Sequence, residues 1–152
     1  MSIFYYFLQS IPECVGVITL SLVLARVPIL WKRILVSAVI FSSVTYIVRS
    51  LPLIFGMHLP IFILLLFLAI FVFTNVKPAN IIVAVFATMM ILALLEFVFS
   101  STFFAVTQLS PQRLDTYEGL WAALGVAQSM VLVIIALFLP KYFRPVEEAW
   151  KK

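Results

Sequence analysis

The feature that most constrains this chain is a series of long apolar stretches that carry almost no charge. A helix needs about 20 apolar residues to cross a hydrocarbon core roughly 30 Å thick. Five stretches meet or approach that length: Ile3–Ala25, Ile34–Val48, Leu59–Val76, Ile81–Val106 and Leu120–Leu139. The second is short unless it continues past Arg49. We therefore predict an all-α fold, a polytopic transmembrane helical bundle of about five spans.

Composition supports a lipid environment. The 152 residues are 65% hydrophobic and 11% charged, whereas an ordinary soluble domain has roughly 45–50% apolar and about 25% charged residues. None of the five stretches alternates apolar with polar residues, as the strands of a membrane barrel do. We expect a single transmembrane domain over 1–152 that ends in a short amphipathic cytoplasmic tail, 141–152. No basic residue precedes Ile3, so the first stretch is interpreted as a retained span rather than a signal peptide.

Basic residues in the connections indicate the orientation. With five spans, one side of the membrane carries only Arg49 and Arg113. The other side carries eight basic residues: Arg26, Lys32, Arg33, Lys77, Lys141, Arg144, Lys151 and Lys152. Because positive connections stay in the cytoplasm, we predict that the N-terminus is outside and the C-terminus inside, in a multi-pass protein of the cell membrane.

Four polar residues within the spans are predicted to share one depth. Counted from the cytoplasmic ends of their helices at 1.5 Å per residue, Glu13, Arg49, Glu96 and Gln128 lie about 20–24 Å from the inner boundary. A guanidinium can bridge two carboxylates, so we predict a Glu13–Arg49–Glu96 network that lines a ligand pocket in the outer half of the bundle. The alternative is that these groups only hydrogen-bond one another and hold the helices together.

Prolines interrupt the helical pattern near this depth. Pro12 precedes Glu13, and Pro52 and Gly56 follow Arg49. The segment Leu51–His58 is predicted to be either a short re-entrant element that caps the polar layer or an extracellular turn. His58 is a further candidate ligand-binding residue, since its imidazole can titrate near neutral pH. The alternative is an interfacial histidine that only forms hydrogen bonds.

Catalytic and cofactor motifs are not found in the sequence, which has no glycine-rich phosphate loop, no His-Glu-x-x-His and no nucleophile elbow. We therefore expect no enzyme activity, no cofactor and no metal site. Cys14 is the single cysteine, which excludes an intrachain disulfide. The net charge of +4 comes from Lys and Arg beside apolar stretches, which suits anionic lipid headgroups rather than nucleic acid.

Two short motifs carry a family resemblance. Ser10-Ile11-Pro12-Glu13 and Tyr46-x-x-Arg49-x-x-Pro52-x-x-x-Gly56-x-His58 resemble the multi-span sensor region of accessory-gene-regulator-like bacterial histidine kinases, which carry a GHKL ATPase domain. Glu96 in the fourth span fits the same pattern. The resemblance implies a membrane sensor. In that family the spans lead into a phospho-acceptor helix and the ATPase domain, and these 152 residues contain neither motif, so kinase activity is not implied.

Three functions fit these features. The first is a sensor or signalling module that binds an external or lipid-borne ligand at the polar layer, with the bilayer as partner and the tail as the place where a cytoplasmic signalling partner would bind. The second is a small transporter or channel component, although transporter sites favour the midplane and paired halves. The third is a structural subunit of a larger membrane complex. Assembly as a homo-oligomer is left open.

Overall fold

The computed structural model describes residues 3–52, 58–108 and 118–139. These ranges form five α-helices: α1, Ile3–Leu24; α2, Trp31–Ser50; α3, His58–Phe73; α4, Pro78–Thr107; α5, Glu118–Phe138. No strand is present in the described ranges. The predicted all-α class is therefore confirmed, and so is the helical bundle. The tail 141–152 and most of Leu51–His58 lie outside the described residues, so the predictions about them stand as predictions.

Three helices of the described ranges, α1, α2 and α4, are long and apolar enough to cross a membrane. Two shorter apolar helical stretches, Leu59–Phe73 and Ala122–Phe138, accompany them. Large apolar side chains cover the outside of the bundle, where Met90, Phe97 and Val106 are 74%, 70% and 77% exposed. Apolar surface of this extent needs a lipid or protein covering, as expected for a helical membrane bundle.

The helix boundaries explain the short second stretch. Helix α2 begins at Trp31 and continues through Arg49 to Ser50, so it contains 20 residues. Its first turn tolerates Lys32 and Arg33 because both side chains are exposed.

Between α3 and α4, Lys77 is the N-cap residue and Pro78 begins α4, a position where the missing N–H of proline costs no hydrogen bond.

Helix α1 lies at the centre of the bundle and packs against α2, α4 and α5. Its second half is the most buried segment, and Val17, Leu20 and Leu22 are each no more than 2% exposed. Helix α3 is more peripheral and packs against α4 and α2. Pro12 lies inside α1 without ending it. The central position of α1 brings the polar residues of its first half between the other helices.

Small residues allow the helices to approach closely. A Cβ atom on Gly16 would lie 2.9 Å from Leu132 Cδ2, and one on Gly125 would lie 2.5 Å from Gln9 Cγ. With a Cβ at either position, the side chain of Leu132 or Gln9 would have to move, so both glycines favour the close spacing of α1 and α5. Helices α1 and α4 are also joined by a buried hydrogen bond, in which Ser21 Oγ donates to Thr88 Oγ1 at 3.0 Å.

Candidate functional site

A cavity of about 280 Å³ lies among the first half of α1, the end of α2, the start of α3 and the middle of α4. Its walls combine charged, polar and apolar side chains: Tyr6, Gln9, Ser10, Glu13, Cys14, Thr45, Arg49, Leu59, Phe62, Met89, Leu92 and Glu96. Its volume is close to the lower end of the range for small-molecule pockets, roughly 300–1,000 Å³. We call it the polar cavity.

Three of the candidate residues, Glu13, Arg49 and Glu96, line the polar cavity together. They come from three different helices, so only the packing of the bundle makes them neighbours. Glu13 is partly buried, whereas Arg49 and Glu96 are exposed on the surface of the isolated chain. The structure thus gathers one guanidinium and two carboxylates around a common space.

The Arg49 guanidinium does not bridge the two carboxylates. No ion pair with an N···O distance of 4.0 Å or less joins the three charged groups to one another. Instead, Arg49 Cζ lies 5.7 Å from the centre of the Tyr6 ring, within the distance at which a cation and an aromatic face attract each other. The charged groups surround the cavity and do not close it, which leaves room for a ligand that carries its own charges.

Tyr6 lines the polar cavity and Tyr46 packs against Tyr6, although neither was predicted to bind a ligand. The ring centres of Tyr6 and Tyr46 are 5.2 Å apart, so the Tyr6 ring lies close to two residues of α2, Tyr46 and Arg49. The Tyr6 hydroxyl is buried and makes no hydrogen bond within 3.5 Å to a described residue, and the Ser10 hydroxyl one turn along α1 is its polar neighbour. Helical spacing could have indicated both tyrosines. Tyr46 precedes Arg49 by three residues and Tyr6 precedes Glu13 by two turns, so each tyrosine shares a helix face with a charged residue of the site.

Gln128 lines a second, smaller cavity of about 50 Å³ that adjoins the first. Gln9, Glu13 and Glu96 line both cavities, and Gln128 reaches the second from α5. Gln9 was also missed by the sequence analysis, although it precedes Glu13 by one helical turn and so shares its face of α1. The four residues predicted to share a depth therefore lie around two adjoining cavities.

His58 begins α3, and its side chain lies outside the described part of the structure. Leu59 and Phe62 of the same helix line the polar cavity. The interpretation of Leu51–His58 as a re-entrant element or an extracellular turn stays a prediction. Across the described ranges, no group of three or more His, Cys, Asp or Glu residues is placed to hold a metal ion.

The site can recognise charge of both signs. Glu13 and Glu96 can accept hydrogen bonds from an ammonium group, and the planar Arg49 side chain can donate two to a carboxylate or phosphate. The Tyr6 hydroxyl can donate or accept a further hydrogen bond. Leu59, Phe62, Met89 and Leu92 supply apolar contact. A ligand with polar and apolar parts would satisfy this combination.

Comparison of the chain with family models, with curated proteins and with solved structures gives no match. The fold and the site therefore define the class, a helical membrane bundle with a charged cavity. The resemblance to the sensor region of histidine kinases stays a prediction from the two sequence motifs.

Proposed function

We propose that this protein is a multi-pass sensor or signalling module of the cell membrane, which binds an external or lipid-borne ligand in the polar cavity. The observation that carries the proposal is the arrangement of Glu13, Arg49 and Glu96 around an open space without direct ion pairs among them. Charged groups within a membrane are costly unless they are paired or functional. Residues that served only to hold helices together would be expected to contact each other directly.

The buried Tyr6 hydroxyl supports the same proposal. A buried hydroxyl without a hydrogen bond costs about 1–3 kcal/mol, and the Tyr6 hydroxyl makes none within 3.5 Å, with the Ser10 hydroxyl of the same helix as its polar neighbour. Tyr6 lines the polar cavity. A bound ligand would supply the missing hydrogen bond, which fits a site that is completed only when it is occupied.

A route for the signal runs through Gln9. Its side chain lines both cavities and packs against Gly125 of α5 so closely that a Cβ there would force it to move. A ligand that displaces Gln9 would change the packing of α1 against α5. A ligand shifts such an equilibrium only by binding one arrangement better than the other. In the proposed orientation α5 leads to the cytoplasmic tail 141–152, where a signalling partner would detect the change.

The test compares Arg49→Ala with Lys32→Ala after purification from native membranes. Lys32 is an exposed basic residue at the opposite end of the same helix, so it controls for the loss of one positive charge. Native mass spectrometry would detect a bound small molecule or lipid. We expect the wild type and Lys32→Ala to retain it and Arg49→Ala to lose it, with the same melting temperature for the ligand-free forms. A wild type without bound molecules, together with a lower melting temperature for Arg49→Ala, would instead identify a packing role.

A further inference from the structure

Exposed basic side chains gather at the end of the bundle that lies away from the polar cavity. Helix α1 ends two residues before Arg26, α2 carries Lys32 in its first turn, and Lys77 is the N-cap residue of α4. All three side chains are exposed. No ion pair with an N···O distance of 4.0 Å or less joins any of them to a described residue. We call these three residues the basic end.

A small cleft shows that the segments carrying these charges meet. Its walls join the end of α1, the start of α2 and the residue after α3 through Leu22, Arg33 and Thr74. Lys32 is adjacent to Arg33, and Arg26 follows Leu22 by four residues. Lys77 follows Thr74 by three residues, a length of chain that spans at most about 10 Å. The three basic residues therefore belong to one patch of the surface.

The segments that form this patch contain no carboxylate. Residues 25–34 and 74–81 include no Asp or Glu. Glu13 lies about 16 Å along α1 from the end of that helix, and Glu96 lies about 27 Å along α4 from its start. The tail 141–152 lies outside the described residues and has four basic and two acidic residues, so its net charge is positive as well. The patch therefore attracts anions.

The basic end lies at the depth where a bilayer presents its headgroups. Trp31, adjacent to Lys32, is 44% exposed, and aromatic side chains of this kind concentrate at the membrane–water interface. One turn further along the same helix, Leu35 and Val36 are 51% and 56% exposed and need an apolar covering. The start of α2 thus passes from charged and aromatic to apolar surface, which places the positive charges level with the phosphates of the lipids.

From this charge and this depth we infer that the basic end binds acidic phospholipids, whose phosphate groups pair with Arg26, Lys32 and Lys77. The planar Arg26 side chain can donate two hydrogen bonds to one phosphate, and the lysines attract it as point charges. A basic residue near a membrane surface favours an acidic lipid about fivefold, the equivalent of about 1 kcal/mol. In the predicted orientation this end faces the cytoplasmic leaflet, where acidic lipids attract basic segments. The inference is independent of the polar cavity.

The experiment titrates purified protein in a non-ionic detergent with three probes, followed by native mass spectrometry. Phosphatidylglycerol and phosphatidylcholine with identical chains share the phosphate and differ in net charge, and glycerol 3-phosphate carries an anionic head without chains. At about fivefold for each of three charges, we expect phosphatidylglycerol to bind about a hundredfold more tightly than phosphatidylcholine. Glycerol 3-phosphate should bind at least about tenfold more weakly than phosphatidylglycerol, because it cannot contact the apolar surface beside the charges.

Charge variants assign the preference to the basic end. Lys32→Gln should weaken phosphatidylglycerol binding about fivefold, and combining it with Arg26→Gln and Lys77→Gln should leave a preference over phosphatidylcholine of less than about fivefold. Arg113→Gln is the matched control, because it removes one positive charge from the connection that follows α4, at the other end of that helix; it should bind both lipids as the wild type does. The charge-preserving combination of Arg26→Lys, Lys32→Arg and Lys77→Arg should keep the preference.

Three results would overturn the inference. They are equal affinities of the wild type for the two lipids, an undiminished preference in the triple glutamine variant, and binding of glycerol 3-phosphate as tight as that of phosphatidylglycerol, which would identify a site for a soluble phosphate. If the triple variant does not fold, an unchanged affinity of Lys32→Gln for phosphatidylglycerol refutes the inference. The Arg49 experiment tests the proposed function separately, because phosphatidylglycerol is identified by its mass and should bind Arg49→Ala as it binds the wild type.

Discussion

Replacing Gly125 with alanine tests the contact between α1 and α5 quantitatively. Alanine is preferred over glycine inside a helix by roughly 0.5–1 kcal/mol. At this position, however, the new Cβ would lie 2.5 Å from Gln9 Cγ, and overpacking of this kind costs about 1–3 kcal/mol. We therefore expect Gly125→Ala to destabilise the bundle by up to about 2 kcal/mol, in spite of its better helix propensity.

A double-mutant cycle isolates the contact. In a Gln9→Ala background the clashing Cγ is absent, so Gly125→Ala should stabilise the bundle by roughly 0.5–1 kcal/mol. The difference between the two backgrounds is then a coupling free energy of about 1–3 kcal/mol. The free energies of unfolding would be measured by titration with SDS in mixed micelles, followed by far-ultraviolet circular dichroism. Equal effects of Gly125→Ala in both backgrounds would show that Gln9 does not contact α5, and the proposed signal route would then lose its first step.

Two further predictions concern the core and the orientation. Leu20 is 0% exposed and Leu94 is 64% exposed. In the same SDS titration, Leu20→Ala should lower the free energy of unfolding by about 2–5 kcal/mol and Leu94→Ala by less than about 0.5 kcal/mol. Similar losses for both variants would contradict the assignment of the core to the second half of α1. For the orientation, Lys152→Cys in a Cys14→Ser background should react with a membrane-impermeant maleimide only after the cytoplasmic side is made accessible, and labelling of intact cells would refute the predicted topology.

The helices were predictable because the signal for each is local. The span Ile3–Ala25 corresponds to α1, Ile3–Leu24, and Leu120–Leu139 to α5, Glu118–Phe138. Helix α2 differs most, since it begins at Trp31 where the sequence analysis began at Ile34. Exposed Lys32 and Arg33 fit the first turn of a helix as well as they fit a loop. Because the two charges were assigned to the loop, the predicted start of α2 was about one turn too late.

The candidate site was predictable only in part. Counting residues along each helix predicted one depth for Glu13, Arg49, Glu96 and Gln128, and all four line adjoining cavities. Depth gives no information about the rotation of each helix or the identity of its neighbours. The packing of Arg49 over Tyr6 and the contact of Gln9 with Gly125 depend on both, and so neither was foreseen.

The sequence by itself determined the five apolar helices, and it predicts the height of the charges along them, because hydrophobic length and helical rise are properties of one segment at a time. The tertiary structure decided that the three charges surround a cavity without bridging, and that a second, smaller cavity lined by Gln128 adjoins it. Both results depend on how side chains from separate helices fill or leave the space between them, and that space exists only once the helices have packed.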